Sequence, residues 1–338
     1  MVRVAINGFG RIGRLVLRCG VAEKNIDWVV NHTKDIKSAC QLFKFDSVHG
    51  RFDGDVEIDG DNLVINGRKV KVISRKVSPQ DLMASPSLLP WKELKVDVVI
   101  ESTGVFRGKE DASAHIKAGA KKVVISAPGR GEIESYVLGV NTGNLAKADD
   151  VIDNASCTTN CLMPVLKVLN DNFTIRRGFM TTIHAYTDDQ KLVDGSHEDP
   201  RRARAAALNI VPTKTGAAEA VSKVMPVLKG RLDGKAIRVP VADGSFLEVT
   251  AEVEKATTVE EINSAMKKAS AGALRGILEY STDPLVSSDI IGNKSSAVFD
   301  SGLTKVSGGT LVQVCAWYDN EMAYSQRVVD LVKSLKLK

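Results

Sequence analysis

The chain has 338 residues, of which 43% are hydrophobic and 26% are charged. It can bury a sizeable core, and its length favours two domains. The net charge of +5 suits anionic ligands but is too diffuse to predict nucleic-acid binding. We find no signal peptide and no apolar run near the roughly 18 residues of a membrane helix, so we expect a cytoplasmic protein without a membrane partner. The five cysteines form no CxxC pair, which argues against a disulfide framework or a metal site and leaves the chemistry of a free thiol open.

The first third of the chain alternates short apolar runs with helical patterns. The runs cover residues 2–6, 28–30, 70–73, 96–100 and 123–125. This alternation predicts a parallel sheet with crossover helices, in which ligands bind at the carboxyl ends of the strands. Residues 50–75 differ, because Gly54, Gly60 and the pair Asn66-Gly67 punctuate alternating apolar positions. We interpret them as hairpins inserted in this domain.

From about Asn154 onward the pattern changes to longer strands with helices between them. The strands are predicted at residues 178–183, 247–253 and 310–316, which indicates a second, α+β domain with a more antiparallel sheet. Thr257 and Glu260 have the spacing of a capping box, which would open a helix that runs to about Ala269. Apolar residues at helical spacing over 324–335 predict a last helix that packs back on the first domain.

A glycine-rich loop follows the first predicted strand. Gly8, Gly10 and Gly13 have the GxGxxG spacing, and apolar residues at helical spacing come directly after them. A dinucleotide pyrophosphate needs a tight turn, close backbone approach and free N–H groups at a helix N-terminus. This context favours dinucleotide binding over an ordinary glycine turn.

The second strand lacks the acidic residue that usually grips the adenosine ribose. His32 stands near its end, followed by Lys34, and both could donate to a 2′-phosphate that a carboxylate would repel. The cofactor could therefore be NADP. Alternatively, His32 is merely exposed and Asp35 binds the ribose. This feature alone does not separate the two readings.

Cys157 is the candidate nucleophile. A strand-like pair, Val151 and Ile152, leads into it, and apolar residues then fall on one helical face, so Cys157 should lie at a helix N-terminus. Free N–H groups and the helix dipole there favour the thiolate, so we expect a lowered thiol pKa. The same N–H groups could hold an oxyanion. Cys161, one turn further on, is expected to be a buried small residue.

His184 is the candidate base. It closes a predicted strand, and a histidine near a thiol can shuttle its proton. Sequence alone does not show that the two side chains meet, and a histidine taken by itself is more often structural.

Several motifs resemble one known family. Residues 7–13 read Asn-Gly-Phe-Gly-Arg-Ile-Gly and residues 155–161 read Ala-Ser-Cys-Thr-Thr-Asn-Cys, as in phosphorylating glyceraldehyde-3-phosphate dehydrogenases. Further matching stretches lie at residues 45–50, 199–206, 212–217, 238–240 and 317–321. The resemblance implies an α/β homotetramer. Each chain would have a Rossmann dinucleotide-binding domain (residues 1–155, completed by a C-terminal helix at 321–338) and an α+β catalytic domain with a mixed, largely antiparallel sheet (residues 156–320).

The resemblance also implies a reaction of glycolysis and gluconeogenesis. Cys157 would attack the aldehyde of glyceraldehyde 3-phosphate, and the hemithioacetal would give a hydride to NADP and/or NAD while His184 takes the hydroxyl proton. Inorganic phosphate would then open the thioester to give 1,3-bisphosphoglycerate. Only a sulfur nucleophile gives a thioester energetic enough for that step.

The remaining site residues are assigned by the same resemblance. The cofactor would contact Arg11 and Ile12 at the pyrophosphate, Thr103 and Ser126 along the nicotinamide ribose, and Asn320 at the carboxamide, with Tyr324 nearby. The substrate phosphate would bind Thr187 and Arg238, and the attacking phosphate would bind Ser156, Thr158, Thr215 and Gly216. Each of these could be an ordinary loop or surface residue by itself. Their combined positions favour function.

Two departures from the family pattern concern the coenzyme. His32 stands where strictly NAD-using members carry Asp, and Gly195-Ser196 replaces their Leu-Pro pair. The second change resembles the Ala-Ser pair of photosynthetic, NADP-using members, in which the serine reaches the 2′-phosphate of a neighbouring subunit's cofactor. We therefore hypothesise that NADP is accepted, alone or alongside NAD. Residues 75–79 and 241–245 also depart from the family, the latter from its usual Thr-Pro-Asn-Val-Ser.

Two other functions remain open. Erythrose-4-phosphate dehydrogenase is a related enzyme that hydrolyses the thioester, but it replaces the Tyr-Thr pair found here at Tyr186 and Thr187. A non-catalytic nucleotide-binding or RNA-binding scaffold could keep the fold. The intact Cys157, His184 and Arg238 argue against it.

Overall fold

The computed structural model describes residues 1–337, except for the side chain of Ala218, and the chain divides into two compact units. The first unit contains residues 1–136, residues 142–155 and the described residues from Ser325 onward. The second unit contains Val137–Asn141 and Ser156–Tyr324. The C-terminal helix predicted at 321–338 reaches Lys338, which lies outside the described residues.

The first unit contains strands and short helices in alternation. Its strands are β1 (Val2–Asn7), β2 (Ile26–Asn31), β3 (Phe45–Asp46), β4 (Gly50–Arg51), β5 (Val56–Asp59), β6 (Asn62–Ile65), β7 (Arg68–Ile73), β8 (Val98–Glu101), β9 (Lys122–Ile125), β10 (Glu134–Ser135) and β11 (Val151–Asp153). Its helices are α1 (Arg11–Gly20), α2 (Ile36–Lys44), α3 (Pro79–Ala84) and α4 (Lys109–Lys117), with 3₁₀ turns at Pro86–Leu88 and Thr142–Lys147.

Nine of these strands, counted over the described residues, form one sheet in the order β10-β11-β9-β8-β1-β2-β7-β6-β5. The strands from β10 to β7 pair in parallel, because helices or long segments return the chain to the same edge. β1 and β8 are buried on both faces, as their continuous apolar runs require. This confirms the predicted parallel sheet, and it aligns the ends of β1, β2 and β8 at one edge.

The hairpins predicted within residues 50–75 are present. β5, β6 and β7 pair antiparallel, and β7 then joins β2 in parallel, so the hairpins extend one end of the sheet. Asn66 and Gly67 form the turn between β6 and β7, both with positive φ, which is the conformation that this dipeptide favours.

The last helix, α9 (Met322–Ser334), contributes most of its length to the first unit. Trp28 donates its indole N–H to the carbonyl of Gly20 at 3.0 Å, and a Cβ at Gly20 would meet both Trp28 and Val329. Glycine at position 20 therefore allows close packing of α1, β2 and α9. The N-terminal residues of α9, up to Tyr324, belong to the second unit.

The second unit is built on a long helix and a broad sheet. Its helices are α5 (Cys157–Phe173), α6 (Ala217–Val224), α7 (Val259–Ala271) and α8 (Ser287–Ile290), with 3₁₀ turns at Ala206–Leu208 and Pro226–Leu228. Its strands are β12 (Ile175–Ala185), β13 (Val211–Thr213), β14 (Leu232–Val239), β15 (Ser245–Val253), β16 (Leu278–Ser281), β17 (Ala297–Ser307) and β18 (Leu311–Tyr318).

In the described part of the chain these seven strands form a mixed sheet in the order β13-β14-β12-β15-β18-β17-β16. The pairs β12–β14 and β16–β17 are parallel and the others antiparallel, which agrees with the predicted mixed, largely antiparallel sheet. Residues along β15 alternate strictly between buried and half-buried. One face of this strand therefore packs into the core, and the other is left partly open.

The predicted capping box is correct in kind but shifted by one residue. Thr258, not Thr257, is the N-cap of α7, and its partner is Glu261, not Glu260. Thr258 accepts from the N–H of Glu261, and the Glu261 carboxylate accepts from the N–H of Thr258. Consecutive threonines and consecutive glutamates give both registers the same spacing, so the sequence could not distinguish them.

Helices long and apolar enough to cross a lipid bilayer are absent from residues 1–337.

Candidate active site

The glycine loop has the geometry that a pyrophosphate requires. Gly8 has φ +97°, and a Cβ there would collide with the backbone of Ser102 and Thr103. A Cβ at Gly13 would collide with the carbonyl of Gly8, whereas one at Gly10 would meet no protein atom. Gly8 and Gly13 thus allow the tight turn, and Gly10 leaves the start of α1 open to a ligand. The first turn of α1 carries no acidic residue, so its N–H groups suit an anion.

Arg11, which is half-buried, has its side chain in an ion pair. Its Nη2 lies 3.1 Å from the Asp46 carboxylate, which also accepts from the N–H groups of Val48 and His49. Burial would raise the pKa of Asp46, but these donors lower it to about 2. The Arg11 guanidinium therefore contacts the loop after α2. The backbone amides of Arg11 and Ile12 lie at the helix start, where an anion could bind.

Thr103 and Ser126 lie at the carboxyl ends of β8 and β9. The N–H and hydroxyl of Thr103 donate to the side chain of Glu101. The N–H and hydroxyl of Ser126 donate to the main-chain carbonyl of Glu101, at 2.9 and 3.0 Å. One residue, Glu101, therefore holds both positions assigned to the nicotinamide ribose.

His32 is buried, not exposed as in one of the two readings. Its ring packs edge-on against Phe9, with Nε2 3.5 Å from the Ser38 hydroxyl. Burial and the charges of Arg14 and Lys34 lower its pKa, so it is a neutral imidazole at pH 7. The Asp35 carboxylate caps α2 by accepting from the N–H of Ser38. His32 can therefore donate a hydrogen bond to a ligand but adds no charge.

Cys157 is the first residue of α5, as predicted. Ser156 is the N-cap, and its hydroxyl accepts from the N–H of Thr159 at 3.0 Å. The first turn has no acidic side chain, so its remaining N–H groups suit an oxyanion or phosphate. Cys161 is fully buried in the same helix, which confirms the prediction for it.

The structure brings Cys157 and His184 together within the second unit. Sγ of Cys157 lies 3.4 Å from Nε2 of His184. Nδ1 of His184 lies 2.6 Å from the main-chain carbonyl of Ala185, which can only accept, so Nδ1 carries the ring proton. Nε2 therefore has a free lone pair directed at the thiol, which is the arrangement that a general base needs.

The lowered pKa that the sequence predicts for the Cys157 thiol is wrong. Burial raises the pKa of Cys157, and the charge of Arg238 and hydrogen bonds from Thr158 oppose it only in part. Burial and the charge of Arg238 lower the pKa of His184 to about 3. The free-energy cost of removing the thiolate from water exceeds the stabilisation that the N-terminus of α5 gives it. The pair is therefore a neutral thiol facing a neutral imidazole at pH 7.

Arg238 and Thr187 meet beside this pair. Nη1 of Arg238 donates to the Thr187 hydroxyl at 3.0 Å and to the carbonyl of Ala185 at 3.1 Å. Arg238 is the penultimate residue of β14 and lies next to His184 on β12, since the two residues are register partners in parallel strands. A guanidinium held by a threonine hydroxyl is a suitable ligand for a phosphate group.

Tyr318 is a site residue that the sequence analysis did not assign. Its hydroxyl lies 3.0 Å from the Thr158 hydroxyl and 2.8 Å from that of Thr182, and its ring packs edge-on against His184. Thr158 in turn hydrogen-bonds the sulfur of Cys157 through both N–H and side chain. The Thr158 hydroxyl, assigned to the attacking phosphate, is thus already engaged. The motif at 317–321 contained Tyr318, but no sequence signal connected it to Thr158.

Asn320 is held in one orientation. The N–H of Ala185 donates to the Ser245 hydroxyl, which donates to Oδ1 of Asn320 at 2.6 Å. Nδ2 of Asn320 is then directed away from Ser245. In this orientation it could donate to the carboxamide oxygen of a nicotinamide. Tyr324 is buried two residues into α9.

The remaining assigned residues lie on loops of the second unit. The Thr215 hydroxyl accepts from the N–H of Ala217 at the start of α6, and Gly216 is the exposed N-cap. Ser196 is exposed, in the segment between β12 and β13. The structure therefore groups Cys157, His184, Thr187 and Arg238 closely, but it does not place Ser196 with them.

Two buried carboxyl groups, Asp243 and Asp319, form a pair near the site. Asp243 is fully buried, and burial together with the charge and hydrogen bond of Asp319 raises its pKa to about 9. The Asp319 carboxylate accepts from the N–H groups of Gly292, Glu321 and Met322. Asp243 is therefore the protonated member of the pair at neutral pH. It stands where the family motif has Asn.

We expect Asp243→Asn to stabilise the protein at neutral pH by about 1–3 kcal/mol, because an amide donates to Asp319 without titrating. The folded-state pKa of Asp243 lies above its unfolded value near 3.9, so the wild type loses stability as pH rises from about 4 to 9. The gain from Asp243→Asn should therefore grow over that range. Urea midpoints at pH 5, 7 and 8.5 measure it, with the exposed Asp283→Asn as control. A gain that shrinks with rising pH would contradict the assignment.

Comparison with known proteins decides the family. A model described as "Glyceraldehyde 3-phosphate dehydrogenase, NAD binding domain" matches residues 2–109, and one described as "Glyceraldehyde 3-phosphate dehydrogenase, C-terminal domain" matches residues 156–320. The chain belongs to the glyceraldehyde-3-phosphate dehydrogenase family. It is therefore an NAD(P)-dependent oxidoreductase, and the predicted fold class, a Rossmann domain with an α+β domain, is confirmed.

Curated relatives match along nearly the whole chain. A protein named glyceraldehyde-3-phosphate dehydrogenase 2, from Trichormus variabilis, is 52% identical over 98% of both chains. Glyceraldehyde-3-phosphate dehydrogenase 1 from Bacillus subtilis is 51% identical over 98% of this chain and 97% of the relative. A protein of Arabidopsis thaliana with the same name, marked chloroplastic, is 51% identical over 98% of this chain and 82% of its own length.

Proposed function

We propose that this protein oxidises glyceraldehyde 3-phosphate with inorganic phosphate to 1,3-bisphosphoglycerate, using NADP and/or NAD, in glycolysis or gluconeogenesis in the cytoplasm. The observation that carries the proposal is the lone pair on Nε2 of His184, directed at the Cys157 thiol 3.4 Å away and adjacent to Arg238. Relatives with the corresponding name support the substrate.

Catalysis would begin with transfer of the thiol proton to His184 as the sulfur attacks the aldehyde carbon. Because the thiol is neutral in the free protein, the proton moves as the C–S bond forms. The N–H groups at the start of α5 would stabilise the hemithioacetal oxygen. His184 would return this proton to the hemithioacetal oxygen and would take it up again as the carbon loses its hydride, which leaves the thioester. Phosphate would then displace the sulfur as a thiolate and release the acyl phosphate.

The anions would occupy two pockets. Arg238 and Thr187 fit the substrate phosphate, since both already share one hydrogen bond and lie beside His184. Ser156, Thr158, Thr215 and Gly216 are the proposed ligands of the attacking phosphate, through the N–H groups at the starts of α5 and α6 more than through the hydroxyl of Thr158.

The cofactor is assigned to the first unit and to Asn320. The glycine loop leaves space and unopposed N–H groups for a pyrophosphate, and this region matches the NAD-binding family model. Bound NADP or NAD supplies the hydride acceptor. Gly8, Gly10, Arg11, Ile12 and Gly13 would hold its pyrophosphate, and Thr103, Ser126, Asn320 and Tyr324 its nicotinamide half. His32, with Ser196 of a neighbouring subunit, would favour the 2′-phosphate of NADP.

We expect NADPH to form from glyceraldehyde 3-phosphate at a rate at least comparable to NADH, and only in the presence of phosphate or arsenate. The reason is that His32, and not a carboxylate, comes directly after β2, and that Asp35 further on is engaged as the N-cap of α2. Only an added nucleophile opens the thioester. Initial rates with each coenzyme, with and without phosphate, measure this. Strong NAD preference would refute the coenzyme hypothesis, and phosphate-independent turnover would favour erythrose-4-phosphate dehydrogenase. No aldehyde oxidation at all would favour a non-catalytic scaffold.

We also propose a homotetramer. Large apolar side chains of the second unit are exposed in the single chain, including Phe179 at 70% and Leu192 at 84%. Exposed large apolar side chains favour association between proteins. Light scattering on the purified protein should give four times the chain mass, and a monomer at micromolar concentration would refute the proposal.

We further propose that residues 1–155 and 321–338 bind the dinucleotide and that residues 156–320 carry out catalysis.

A further inference from the structure

A buried row of polar side chains crosses the first unit at the carboxyl ends of three parallel strands. Asn31 ends β2, Asn7 ends β1 and Glu101 ends β8, and each is at most 5% exposed. Nδ2 of Asn31 donates to Oδ1 of Asn7 at 2.8 Å, and Nδ2 of Asn7 donates to Oε2 of Glu101 at 2.6 Å. The row is continuous because Asn7 is the register partner of both Asn31 and Glu101.

The main chain of Arg75 fixes the polarity of this row at one end. The N–H of Arg75 donates to Oδ1 of Asn31 at 3.0 Å, and its carbonyl accepts from Nδ2 of Asn31 at 3.1 Å. Main-chain groups cannot exchange donor and acceptor, so the Asn31 amide has one orientation. The orientation of the Asn7 amide follows from that of Asn31, because its Oδ1 accepts from Asn31, and its Nδ2 must therefore donate to Glu101.

An indole fixes the polarity at the other end. Nε1 of Trp91 donates to Nδ1 of His115 at 3.0 Å, and Nε2 of His115 lies 3.0 Å from Oε2 of Glu101. An indole N–H only donates, so Nδ1 of His115 is an acceptor and its proton sits on Nε2. Trp91 and His115 are fully buried, and the Phe106 ring packs 4.7 Å from the imidazole.

Both carboxylate oxygens of Glu101 therefore accept hydrogen bonds. Its Oε2 accepts from Asn7 and His115, and its Oε1 accepts from the N–H of Thr103 at 2.7 Å and from the Thr103 hydroxyl. Only a carboxylate accepts on both oxygens, so the charge of Glu101 is matched by four donors. Thr103 itself is exposed.

We propose that Glu101 is a positioning residue for the dinucleotide: its carboxylate, oriented by His115 and Asn7, holds Thr103 where the nicotinamide half binds. This inference rests on the proposed function, in which Thr103 lies along the nicotinamide ribose. It goes beyond it because the side chains of Glu101, His115 and Trp91 are assigned no contact with the cofactor and would act on it through Thr103.

Glu101→Gln tests the proposal with little change in shape. If the oxygen of the new amide accepts from Thr103, its NH₂ group faces two donors, Nδ2 of Asn7 and the Nε2–H of His115. Neither of these donors can become an acceptor, because the orientations of Asn7 and His115 are fixed by their other hydrogen bonds. Turning the amide over instead places a donor against the N–H of Thr103. The first arrangement sets buried donors of Asn7 and His115 against the new NH₂ group, and the second removes the acceptor of Thr103 and releases the loop 102–104.

We expect Glu101→Gln to weaken NADP⁺ binding about tenfold, as for one lost hydrogen bond to a charged group. Binding of 2′,5′-ADP, which lacks the nicotinamide half, should stay within about twofold of wild type. Calorimetric titration of both ligands gives these constants without any assay of turnover. The exposed Glu93→Gln is the matched control and should bind both ligands as wild type does.

Trp91→Phe supplies a second and independent comparison. Without the indole donor, His115 can move its proton to Nδ1, and its Nε2 can then accept from the amide that Glu101→Gln introduces. NADP⁺ binding by Trp91→Phe/Glu101→Gln should therefore be tighter than the product of the two single effects predicts. Should Trp91→Phe fail to fold, Thr103→Val replaces it. Thr103→Val should weaken NADP⁺, and adding it to Glu101→Gln should cost little more.

Any of three results would overturn the proposal. Glu101→Gln could bind NADP⁺ as tightly as wild type, or it could lose affinity for NADP⁺ and 2′,5′-ADP equally. The third result is strictly additive effects on NADP⁺ affinity in whichever double variant folds. Equal loss would mean that Glu101 only maintains the sheet. Failure of the proposed function is distinguishable, because the wild-type protein itself would then bind neither NADP⁺ nor NAD⁺.

Discussion

Replacing Cys157 with Ser should lower kcat for glyceraldehyde 3-phosphate oxidation by at least about 10⁴-fold, the size of effect seen when a catalytic nucleophile is removed. A serine hydroxyl is far less acidic than a thiol, and desolvation at the half-buried position 157 opposes an anion further. An ester formed at serine would also be too stable for efficient displacement by phosphate. Formation of NADPH and NADH, in single-turnover and steady-state experiments, measures the effect.

Cys19→Ser is the matched control for Cys157→Ser. Cys19 is a partly exposed cysteine on α1, in the first unit, and its replacement should leave kcat within about twofold. The coenzyme dissociation constant of Cys157→Ser should also match the wild type. If Cys157→Ser kept more than about one hundredth of the wild-type kcat, the sulfur could not be the nucleophile.

Replacing His184 with Asn should lower kcat by about 10²–10⁴-fold, the usual contribution of a general base. The variant has no lone pair at 3.4 Å from the sulfur, so the thiol must ionise unaided against a raised pKa. Its rate should therefore climb with pH through 9, whereas the wild-type rate should vary much less over neutral pH. Carboxymethylation of Cys157 by iodoacetamide, followed by mass spectrometry, should slow in the same variant.

The low pKa of His184 also makes a prediction for stability. The folded protein keeps the imidazole neutral down to about pH 3, while the unfolded chain binds a proton near pH 6.5. This contribution is complete above pH 6.5 and is lost as pH falls towards 3. The wild type should thus lose stability to urea more steeply than His184→Asn between pH 6.5 and 4.5. Equal slopes, together with equal labelling of all five cysteines in the wild type, would contradict the proposed pair.

Local patterns predicted the parts of the fold that depend on neighbouring residues. The glycines after β1 and the thiol at the start of α5 follow from short runs whose physical requirements are strict. The hairpins at residues 50–75 followed from turn dipeptides. In these cases the residues that determine the structure are adjacent in the chain.

Contacts between distant residues could not be predicted in this way. Tyr318 meets Thr158 across 160 positions, and Asn7 meets Glu101 across 94, although each lay in or beside a conspicuous motif. The pKa of Cys157 was predicted in the wrong direction, because a helix start is visible in the sequence and burial of the thiol is not. His32 was misjudged in one reading for the same reason, since Phe9 covers its ring.

The nucleophile stands at the tip of a helix that is buried along most of its circumference. Side chains of α5 such as Leu162 and Leu166 are buried in the core, and Pro164 lies inside the helix without ending it. Any substitution that repacks this helix will displace the sulfur relative to the imidazole on β12. Selection for thermal tolerance and selection for turnover therefore act on the same aliphatic positions, and a variant improved for one property at those sites should be screened for the other.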